Sequence, residues 1–446
     1  MERSLLGKGD LMSNSQSKTK VTRRDFLRTQ AALAAAVAAP MPALAAENHA
    51  KPAAGVDYYD KLGVQTFINA AGTYTDLSSA CMPEPVQEAV ALAAKKWVRI
   101  QELQQKAGAY VANRLKTEGC CITAGAASAI TMAAAACIQA ANNCRPIDIP
   151  RLIGTPKYPK NEIITQTPYG YDEGMVLCGA KIVVVNTLEE YKRAFNENTV
   201  MTNHENAAEV VKIPVEDWLA VAKEHGVPCH LDAAADMPPI SNLWTLAEKW
   251  DLVCFSGGKG IRGPQSAGLL LGKKKYTDLA NGMLPPVEGV ARGMKVAKEQ
   301  IVGMVAAVDW ILTQTDESLF KESNDRLAVM ASILKDVPSV TTRVIVPAVA
   351  NHYPQLVVEF DPKVIGATPR EIKARLATGN PAIEINPHTG ATRASQGVDP
   401  MPNALVVTAM LLFPGQDKIV GEQIRKTLKD PKSVGTYDPA ARPNRG

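Results

Sequence analysis

The amino-acid sequence predicts an α/β fold with a mostly parallel sheet in a large domain, followed by a smaller C-terminal α+β domain. Two observations lead to this prediction. Short apolar segments alternate with helical patterns from residue 162 to residue 232, which is the rhythm of successive βαβ units in a parallel sheet. The chain that follows the leader has about 400 residues, which is long for one hydrophobic core and suits two domains.

The first 45 residues have the layout of an export signal. Arg23 and Arg24 form a twin-arginine motif, which precedes an alanine-rich apolar segment at residues 31–39 and a small-x-small cleavage site at residues 43–45. The alternative is an uncleaved helix, but the apolar segment is too short to span a bilayer stably. We therefore predict a twin-arginine signal peptide over residues 1–45, a periplasmic protein, and no membrane anchor after cleavage.

The charge distribution argues against a nucleic-acid partner. The chain carries a formal net charge of +4, and its first 45 residues alone hold seven Lys or Arg against three Asp or Glu. The remainder is therefore close to neutral and has no long basic run, whereas nucleic-acid binding needs several cations. We expect a small-molecule amino substrate as the partner.

The cysteine and histidine patterns do not indicate a metal site. All eight cysteines fall between Cys81 and Cys254, and the chain contains neither a CxxC nor an HExxH motif. Because Cys121, Cys137 and Cys254 lie in apolar runs, we predict that they fill the core, while disulfide pairing after export stays open.

Element predictions follow from apolar periodicity and from helix start and stop signals. A proline at position 83 or 85 suits a first helical turn, and Gly119 suits a helix stop. The predicted helices cover residues 83–98, 100–117, 215–225, 369–377 and 417–428, and a long linking helix lies within residues 294–312. The predicted strands cover residues 162–166, 181–185, 199–203, 340–346, 355–360, 382–385 and 404–411. The polar segment at residues 66–75 is predicted to lack regular structure.

Residues 251–272 contain the motif on which the functional prediction depends. Two apolar runs, at residues 252–255 and 267–271, flank a glycine-rich loop that holds Lys259. Period and length suit two short buried strands joined by that loop. Partial loss of water lowers the pKa of an amine, and a neutral amine is a nucleophile. An ordinary exposed loop lysine is the alternative; a P-loop is disfavoured because Gly260, and not Ser or Thr, follows the lysine.

A second anchor is Asp232, at the end of a predicted strand in residues 227–232. A carboxylate at the carboxyl end of a buried strand lies where open α/β sheets bind ligands. A buried carboxylate needs a cationic partner, which a pyridinium nitrogen supplies. The pair of Asp232 and Lys259 therefore suits pyridoxal phosphate, whose aldehyde condenses with a lysine and whose ring nitrogen takes an acidic partner.

Two segments carry a family resemblance: HLDAAAD at residues 230–236 and FSGGKGIRGPQSAGLLLGKK at residues 255–274. They closely resemble the selenocysteine synthase-like branch of fold-type I pyridoxal-phosphate enzymes, which includes D-glucosaminate-6-phosphate ammonia-lyase-like proteins. The resemblance extends from about residue 69 to about residue 428. It implies a mixed, mostly parallel seven-stranded sheet, pyridoxal 5'-phosphate as the cofactor, and a homodimer or higher homo-oligomer with the site at the interface.

The resemblance also assigns the cofactor phosphate to the turn of Gly125, Ala126, Ala127 and Ser128. Small residues at a helix start leave backbone amides free to bind an anion, although close helix–sheet packing selects small residues too. Ser256 has the right spacing before the lysine to add a phosphate contact. In the expected segment for an aromatic ring that stacks on the cofactor, where the family more often has histidine, the chain offers Tyr169, or Tyr171.

The remaining site assignments concern the substrate. Asn69 and Thr73 fall in a segment that borders the active site in the resembling family, or else they form an ordinary turn. Arg262 and Gln265 match family positions, and Arg262 either binds an anion or braces the loop through backbone carbonyls. In fold-type I enzymes the small lobe often supplies an arginine for the substrate carboxylate, and the candidates are Arg343, Arg375 and Arg393.

These assignments predict four regions and one activity. Residues 1–45 are the signal peptide, 46–80 an arm and active-site loop, 81–312 the large cofactor-binding domain with its linking helix, and 313–446 the small domain. The predicted activity is a pyridoxal-phosphate-dependent lyase acting on an amino acid or amino-sugar acid, in which Lys259 removes the α-proton and ammonia is released. An aminotransferase or racemase, and a non-catalytic cofactor-binding homologue, are the alternatives.

Overall fold

A computed structural model of the protein describes residues 55–166, 170–206, 211–394 and 396–440. The predicted signal peptide lies outside the described residues. The chain divides into two compact units, Met1–Gln65 and Thr66–Gly446. In the described part of the first unit, helix α1 (Tyr58–Leu62) begins at the N-cap residue Asp57, whose side chain accepts a hydrogen bond from the backbone N–H of Tyr59. Across the described ranges, every helix is too short or too polar to cross a membrane.

The second unit alternates strands and helices through most of its length. Its elements in chain order are β1 (Ile68–Ala70), α2 (Glu84–Ala94), α3 (Ile100–Leu115), β2 (Gly119–Thr123), α4 (Gly125–Asn142), β3 (Glu162–Gln166), α5 (Glu173–Val176), β4 (Lys181–Val185), α6 (Leu188–Ala194), β5 (Thr199–Glu205), α7 (Val215–Glu224), β6 (Cys229–Asp232), α8 (Asn242–Lys249), β7 (Leu252–Ser256), β8 (Gly268–Gly272), α9 (Lys274–Met283), α10 (Lys298–Ile311), α11 (Asp316–Leu334), β9 (Thr341–Ile345), β10 (Gln355–Glu359), α12 (Pro362–Ile365), α13 (Pro369–Ala377), β11 (Ile383–Ile385), β12 (Ala404–Thr408) and α14 (Gln416–Lys429).

The largest sheet has seven strands in the order β2-β8-β7-β6-β5-β3-β4. Only β8 runs antiparallel to its two neighbours, β2 and β7, and the other pairings are parallel. The predicted α/β fold with a mixed, mostly parallel sheet is therefore confirmed. In a parallel sheet the carboxyl ends of neighbouring strands meet at one edge, so β5, β6 and β7 present their last residues side by side.

The sheet is buried on both faces, and side chains alternate between two cores along each strand. Leu252 and Cys254 of β7 pack into the core that contains α4, whereas Val253 and Phe255 pack into the opposite core with α10. Phe255 is only 1% exposed, and burying such a side chain contributes roughly 1.5–3 kcal/mol. All eight cysteines are free thiols, and seven of them, including Cys254, are buried. The predicted core positions of Cys121, Cys137 and Cys254 are confirmed.

The C-terminal elements build a separate core. β12, β10 and β9 form a three-stranded antiparallel sheet, and apolar residues of α11, α13 and α14 pack in the same cluster. Ile68 and Ala70 belong to this cluster, because β1 pairs in parallel with β11 through Ile68 opposite Ile383. The prediction that residues 66–75 lack regular structure was therefore wrong for β1. A three-residue strand has no periodicity of its own, and its pairing depends on a partner over 300 residues away.

Candidate active site

Lys259 lies in a tight loop that directly follows β7. The Gly257 N–H donates a hydrogen bond of 2.8 Å to the Ala267 carbonyl, so the loop closes onto the residue that precedes β8. At the position after the lysine, a Cβ atom on Gly260 would lie 2.2 Å from the carbonyl oxygen of Met237. Only glycine fits that close approach, which holds the Lys259 backbone against the segment after β6.

Lys259 and Asp232 line the same cavity. The cavity has two chambers, a larger one of about 540 Å³ and a smaller one of about 220 Å³, and both residues line both chambers. Thr75, Tyr171 and Ala234 also line both. The other lining residues of the larger chamber are Thr73, Tyr74, Asp76, Glu205, Ala235, Asp236, Ala350, Asn351 and Gln396. The other lining residues of the smaller chamber are Ser79, Ala124, Gly125, Ala126, Ala127, Ile130, Ser256, Gln265 and Ser266.

The surroundings of Lys259 favour its neutral amine. Burial lowers the pKa of Lys259, and the negative charge of Asp232 opposes that effect only in part. Asp232 is held in place through its Oδ1 atom, which accepts hydrogen bonds from the Ala234 N–H at 3.0 Å and from the Cys254 thiol at 3.3 Å. An amine with a lowered pKa and an oriented carboxylate therefore share one cavity.

The smaller chamber contains the start of helix α4. Gly125 adopts a φ of +84°, and Ala124 at the N-cap provides no side-chain hydrogen bond to the first turn. Strand β8 fits closely against this turn, because a Cβ atom on Gly268 would lie 2.6 Å from the Gly125 carbonyl carbon. Ser256 lines the same chamber. Its hydroxyl and the free backbone N–H groups at the helix start can therefore bind the same anion. Ser128 is buried but is not among the residues lining this chamber.

Two further carboxyl groups line the larger chamber. Glu205 of β5 stands opposite Asp232 of β6 in the parallel register, and it is 7% exposed. Burial first, and then the charges of Asp232 and Asp172, raise the pKa of Glu205 to about 9. Burial also raises the pKa of Asp236 to about 6, although Asn206 donates a 2.8 Å hydrogen bond to its Oδ2 atom. Glu205 is thus protonated at neutral pH and Asp236 mostly ionised.

The last two residues of β5, His204 and Glu205, have different surroundings. Both belong to β5 and are buried. His204 packs edge-on against Trp218, and burial lowers its pKa to about 4. The strand register distinguishes the two residues. Glu205 is paired with Asp232 and lines the larger chamber, whereas His204 is paired with Leu231 and does not line it.

The residues assigned to the substrate separate into two groups. Thr73 lines the larger chamber, and its hydroxyl donates a hydrogen bond of 3.2 Å to the side-chain oxygen of Asn351. Gln265 lines the smaller chamber, and its side-chain amide donates a hydrogen bond of 3.0 Å to the Thr75 carbonyl. Asn69 instead organises a turn, where its side-chain oxygen accepts hydrogen bonds from the backbone N–H groups of the second and third residues after it.

Arg262 also lies outside the residues that line the two chambers. Its guanidinium donates two hydrogen bonds of 3.2 Å to the Cys81 carbonyl and lies 5.5 Å from the centre of the Trp310 ring. These contacts agree with the alternative in which Arg262 braces the lysine loop through a backbone carbonyl, and not with the one in which it binds an anion. Arg343, Arg375 and Arg393 do not line the chambers either, and Arg375 pairs with Glu371 at 2.8 Å.

Of the two tyrosines considered for ring stacking, Tyr169 lies outside the described residues and Tyr171 lines both chambers. Sequence reasoning missed Ala350 and Asn351, which reach the larger chamber from the C-terminal elements. The Asn351 N–H donates a 2.8 Å hydrogen bond to the Ala235 carbonyl, which ties the two parts of the unit together at the site. These loop residues have no periodic pattern that could identify them.

Comparison with known proteins gives two curated relatives, and no protein-family model matches the chain. The chain is 27% identical over 341 residues to a 5'-C-glycyluridine monooxygenase-decarboxylase of Streptomyces sp., over 73% of this chain and 83% of the relative. It is 29% identical over 265 residues to a D-glucosaminate-6-phosphate ammonia lyase of Salmonella typhimurium, over 56% of this chain and 69% of that protein.

Solved structures agree on the fold. A structure of D-glucosaminate-6-phosphate ammonia-lyase superposes with a TM-score of 0.71 at 22% identity, covering 84% of this chain and 99% of that one. A serine palmitoyltransferase structure from S. paucimobilis superposes with a TM-score of 0.50 at 12% identity, covering 83% of this chain and 89% of that one. The chain therefore has the fold of the fold-type I pyridoxal-phosphate enzymes. Both its sequence and its fold are similar to those of D-glucosaminate-6-phosphate ammonia-lyase.

Proposed function

We propose that this protein is a pyridoxal-phosphate-dependent lyase that acts on an amino acid or an amino-sugar acid. It removes the α-proton, eliminates a β-substituent and releases ammonia. The observation that carries the proposal is the shared cavity of the Lys259 amine and the Asp232 carboxylate, with an uncapped helix start beside them. The ammonia-lyase activity in the name of the Salmonella relative supports this reaction, although the Streptomyces relative is named for a different one.

The residues present fit pyridoxal phosphate. Ser256 and the first turn of α4 would hold the phosphate, Asp232 would accept a hydrogen bond from the protonated ring nitrogen, and Lys259 would bind the aldehyde carbon. Tyr171 lines both chambers and would cover the ring. When bound, pyridoxal phosphate supplies an electron sink that stabilises negative charge at the substrate α-carbon.

The chain's own groups then carry out the proton chemistry. Lys259 accepts the α-proton at Nζ, and burial lowers the pKa of this amine, which favours the neutral form that can take a proton. The N–H of Ala234 and the thiol of Cys254 hold the Asp232 carboxylate in one orientation, so that it retains a proton on the ring nitrogen. The larger chamber accommodates the remainder of the substrate.

The proposal is tested with the purified protein loaded with pyridoxal phosphate. Borohydride reduction followed by peptide mass spectrometry should place the label on Lys259, and a label elsewhere would overturn the assignment. A panel of amino acids and amino-sugar acids, including D-forms, should then reveal a substrate that releases ammonia and a keto acid in equal amounts. Pyridoxamine phosphate without free ammonia would indicate an aminotransferase, and inversion of the α-carbon alone a racemase. Cofactor absorbance that no compound changes would indicate a non-catalytic homologue.

We also propose that the protein is exported folded to the periplasm and assembles as a homodimer or larger homo-oligomer. The pattern around Arg23 and Arg24 supports export. Trp97, which is 96% exposed beside the half-exposed Val98, offers an apolar surface that a second subunit would bury, and this supports self-association. Export is tested by replacing both arginines with lysine and following the location of the protein. Assembly is tested by sedimentation of the wild-type protein and the Trp97→Ser variant.

A further inference from the structure

The segment after β6 brings a second carboxyl group close to the lysine loop. Asp236 lies four residues after Asp232 and lines the larger chamber together with Lys259. The backbones of the two segments approach each other closely, because a Cβ atom on Gly260 would lie 2.2 Å from the carbonyl oxygen of Met237. Asp236 and Lys259 each directly precede one residue of this contact. The packing therefore holds the carboxyl-bearing residue and the amine-bearing residue close together in the chamber wall.

The side chain of Asp236 is buried and held in place. It is only 9% exposed, and its Oδ2 atom accepts a hydrogen bond of 2.8 Å from the side-chain amide of Asn206. The side-chain amide of Asn242 donates a hydrogen bond of 2.6 Å to the backbone carbonyl of Asp236. These contacts fix both the backbone and the carboxyl group of Asp236 at the chamber.

The charges of Asp236 and Lys259 act on each other. Burial is the largest cause that raises the pKa of Asp236, to about 6, and the negative charge of Asp232 acts in the same direction. The hydrogen bond from Asn206, the backbone of Ala350 and the positive charge of Lys259 oppose that rise. The negative charge of Asp236 likewise opposes the effect of burial on the pKa of Lys259. A carboxyl group with a pKa this close to neutrality can both accept and release a proton at physiological pH.

We propose that Asp236 is a second acid–base group of this site, which accepts a proton from the Lys259 ammonium and delivers it to the departing β-substituent. This inference rests on the proposed function. In the elimination, Lys259 removes the α-proton, and the electrons of that C–H bond end in the new double bond between the α- and β-carbons. The β-substituent departs with the electrons of its own bond to carbon.

A departing hydroxide needs a proton in order to leave as water. Asp236 supplies the proton that it has received from Lys259, directly or through one water molecule. At the end of the step Lys259 is again a neutral amine and Asp236 again a carboxylate. The proton balance therefore closes without a further reactant.

One experiment needs no turnover and uses the protein loaded with pyridoxal phosphate. Its cofactor absorbance is titrated from pH 5 to pH 9 in the wild type and in Asp236→Asn, which keeps the shape of the side chain and can still accept the hydrogen bond from Asn206. A nearby carboxylate favours the protonated form of the nitrogen that joins Lys259 to the cofactor, so the variant should lower the titration midpoint by at least about half a pH unit. The control Asp336→Asn, at an exposed position after α11, should leave the midpoint unchanged. An unchanged midpoint in Asp236→Asn would overturn the inference.

A second experiment varies the leaving group, with serine and β-chloroalanine each as D- and L-forms. Serine loses hydroxide, which needs a proton, whereas β-chloroalanine loses chloride, which needs none. Asp236→Asn should lower ammonia release from serine at least about 100-fold and change release from β-chloroalanine less than about threefold. Equal losses with both compounds, or no loss with serine, would contradict the role of Asp236 as the proton donor.

A third experiment follows the pH profile of ammonia release for any compound that the wild type turns over. Below about pH 6 Asp236 holds its proton and cannot accept another, so release should fall with a midpoint near that pH. Asn206→Ala removes a hydrogen bond that lowers the pKa of Asp236 and should move the midpoint to higher pH; an unmoved midpoint would count against the proposal. Both variants keep the other ionisable groups that line the chamber: Tyr74, Asp76, Tyr171, Glu205, Asp232 and Lys259. A shifted absorbance midpoint in Asp236→Asn without ammonia release from any compound would instead contradict the lyase proposal and leave the coupling of Asp236 to Lys259 intact.

Discussion

The buried carboxyl of Glu205 should make the stability of the cofactor-free protein fall as the pH rises from 7 to 8.5. Its pKa is about 9 in the folded protein, against 4.5 for an ordinary glutamate. Over this pH range the folded chain keeps the proton and the unfolded chain has released it, so raising the pH favours unfolding. The slope is about 1.4 kcal/mol per pH unit, which amounts to about 2 kcal/mol over the range.

Other buried groups act mainly outside this range. Burial lowers the pKa of His204 to about 4 and that of His230 to about 3. These two histidines make the folded protein more stable as the pH rises, which is opposite to the effect of Glu205. Their effect ends near pH 6.5, where the histidines of the unfolded chain lose their protons. Asp236, with a pKa of about 6, has mostly released its proton by pH 7. Buried cysteine thiols contribute equally to the wild type and to a variant at position 205. The difference between the two proteins therefore isolates Glu205.

The perturbation is Glu205→Gln, which keeps the shape of the protonated carboxyl and cannot ionise. Urea unfolding followed by circular dichroism at pH 7, 7.5, 8 and 8.5 should show that the wild type loses stability relative to the variant by about 2 kcal/mol. Glu224→Gln, at an exposed position in α7, is the matched control and should follow the wild type. Parallel pH profiles for the wild type and Glu205→Gln would refute the argument that Glu205 is protonated in the folded protein.

Three further predictions concern the lysine loop. Lys259→Ala should abolish covalent cofactor labelling after borohydride reduction and lower turnover at least about 100-fold. Gly260→Ala should lower the unfolding free energy in urea by about 1–3 kcal/mol, because its Cβ would lie 2.2 Å from the Met237 carbonyl oxygen. Arg262→Lys should lower the melting temperature without changing KM, because lysine cannot reproduce the forked contact with the Cys81 carbonyl; a raised KM would assign Arg262 to the substrate.

Most of the fold could be predicted from local sequence patterns. Strand β3 (Glu162–Gln166) and helix α13 (Pro369–Ala377) have the predicted bounds, because an apolar run or an amphipathic period is a property of consecutive residues. Helix α11, at 19 residues, was not identified, and its polar composition hides a narrow buried stripe of Ser323, Leu327, Met330 and Leu334. Pairing of β1 with β11 was also beyond local patterns, because the register depends on the partner strand.

The sequence by itself identified the candidate groups for the chemistry: an amine in a glycine-rich loop, a carboxylate at a strand end, and small residues at a helix start. Their types and spacing are set by consecutive residues, so they can be read without coordinates. Only the tertiary structure decided that Glu205 stands beside Asp232, that Asn351 reaches the chamber and that Arg262 turns toward the Cys81 carbonyl. Those outcomes depend on strand register, burial and distant packing, which no local pattern contains.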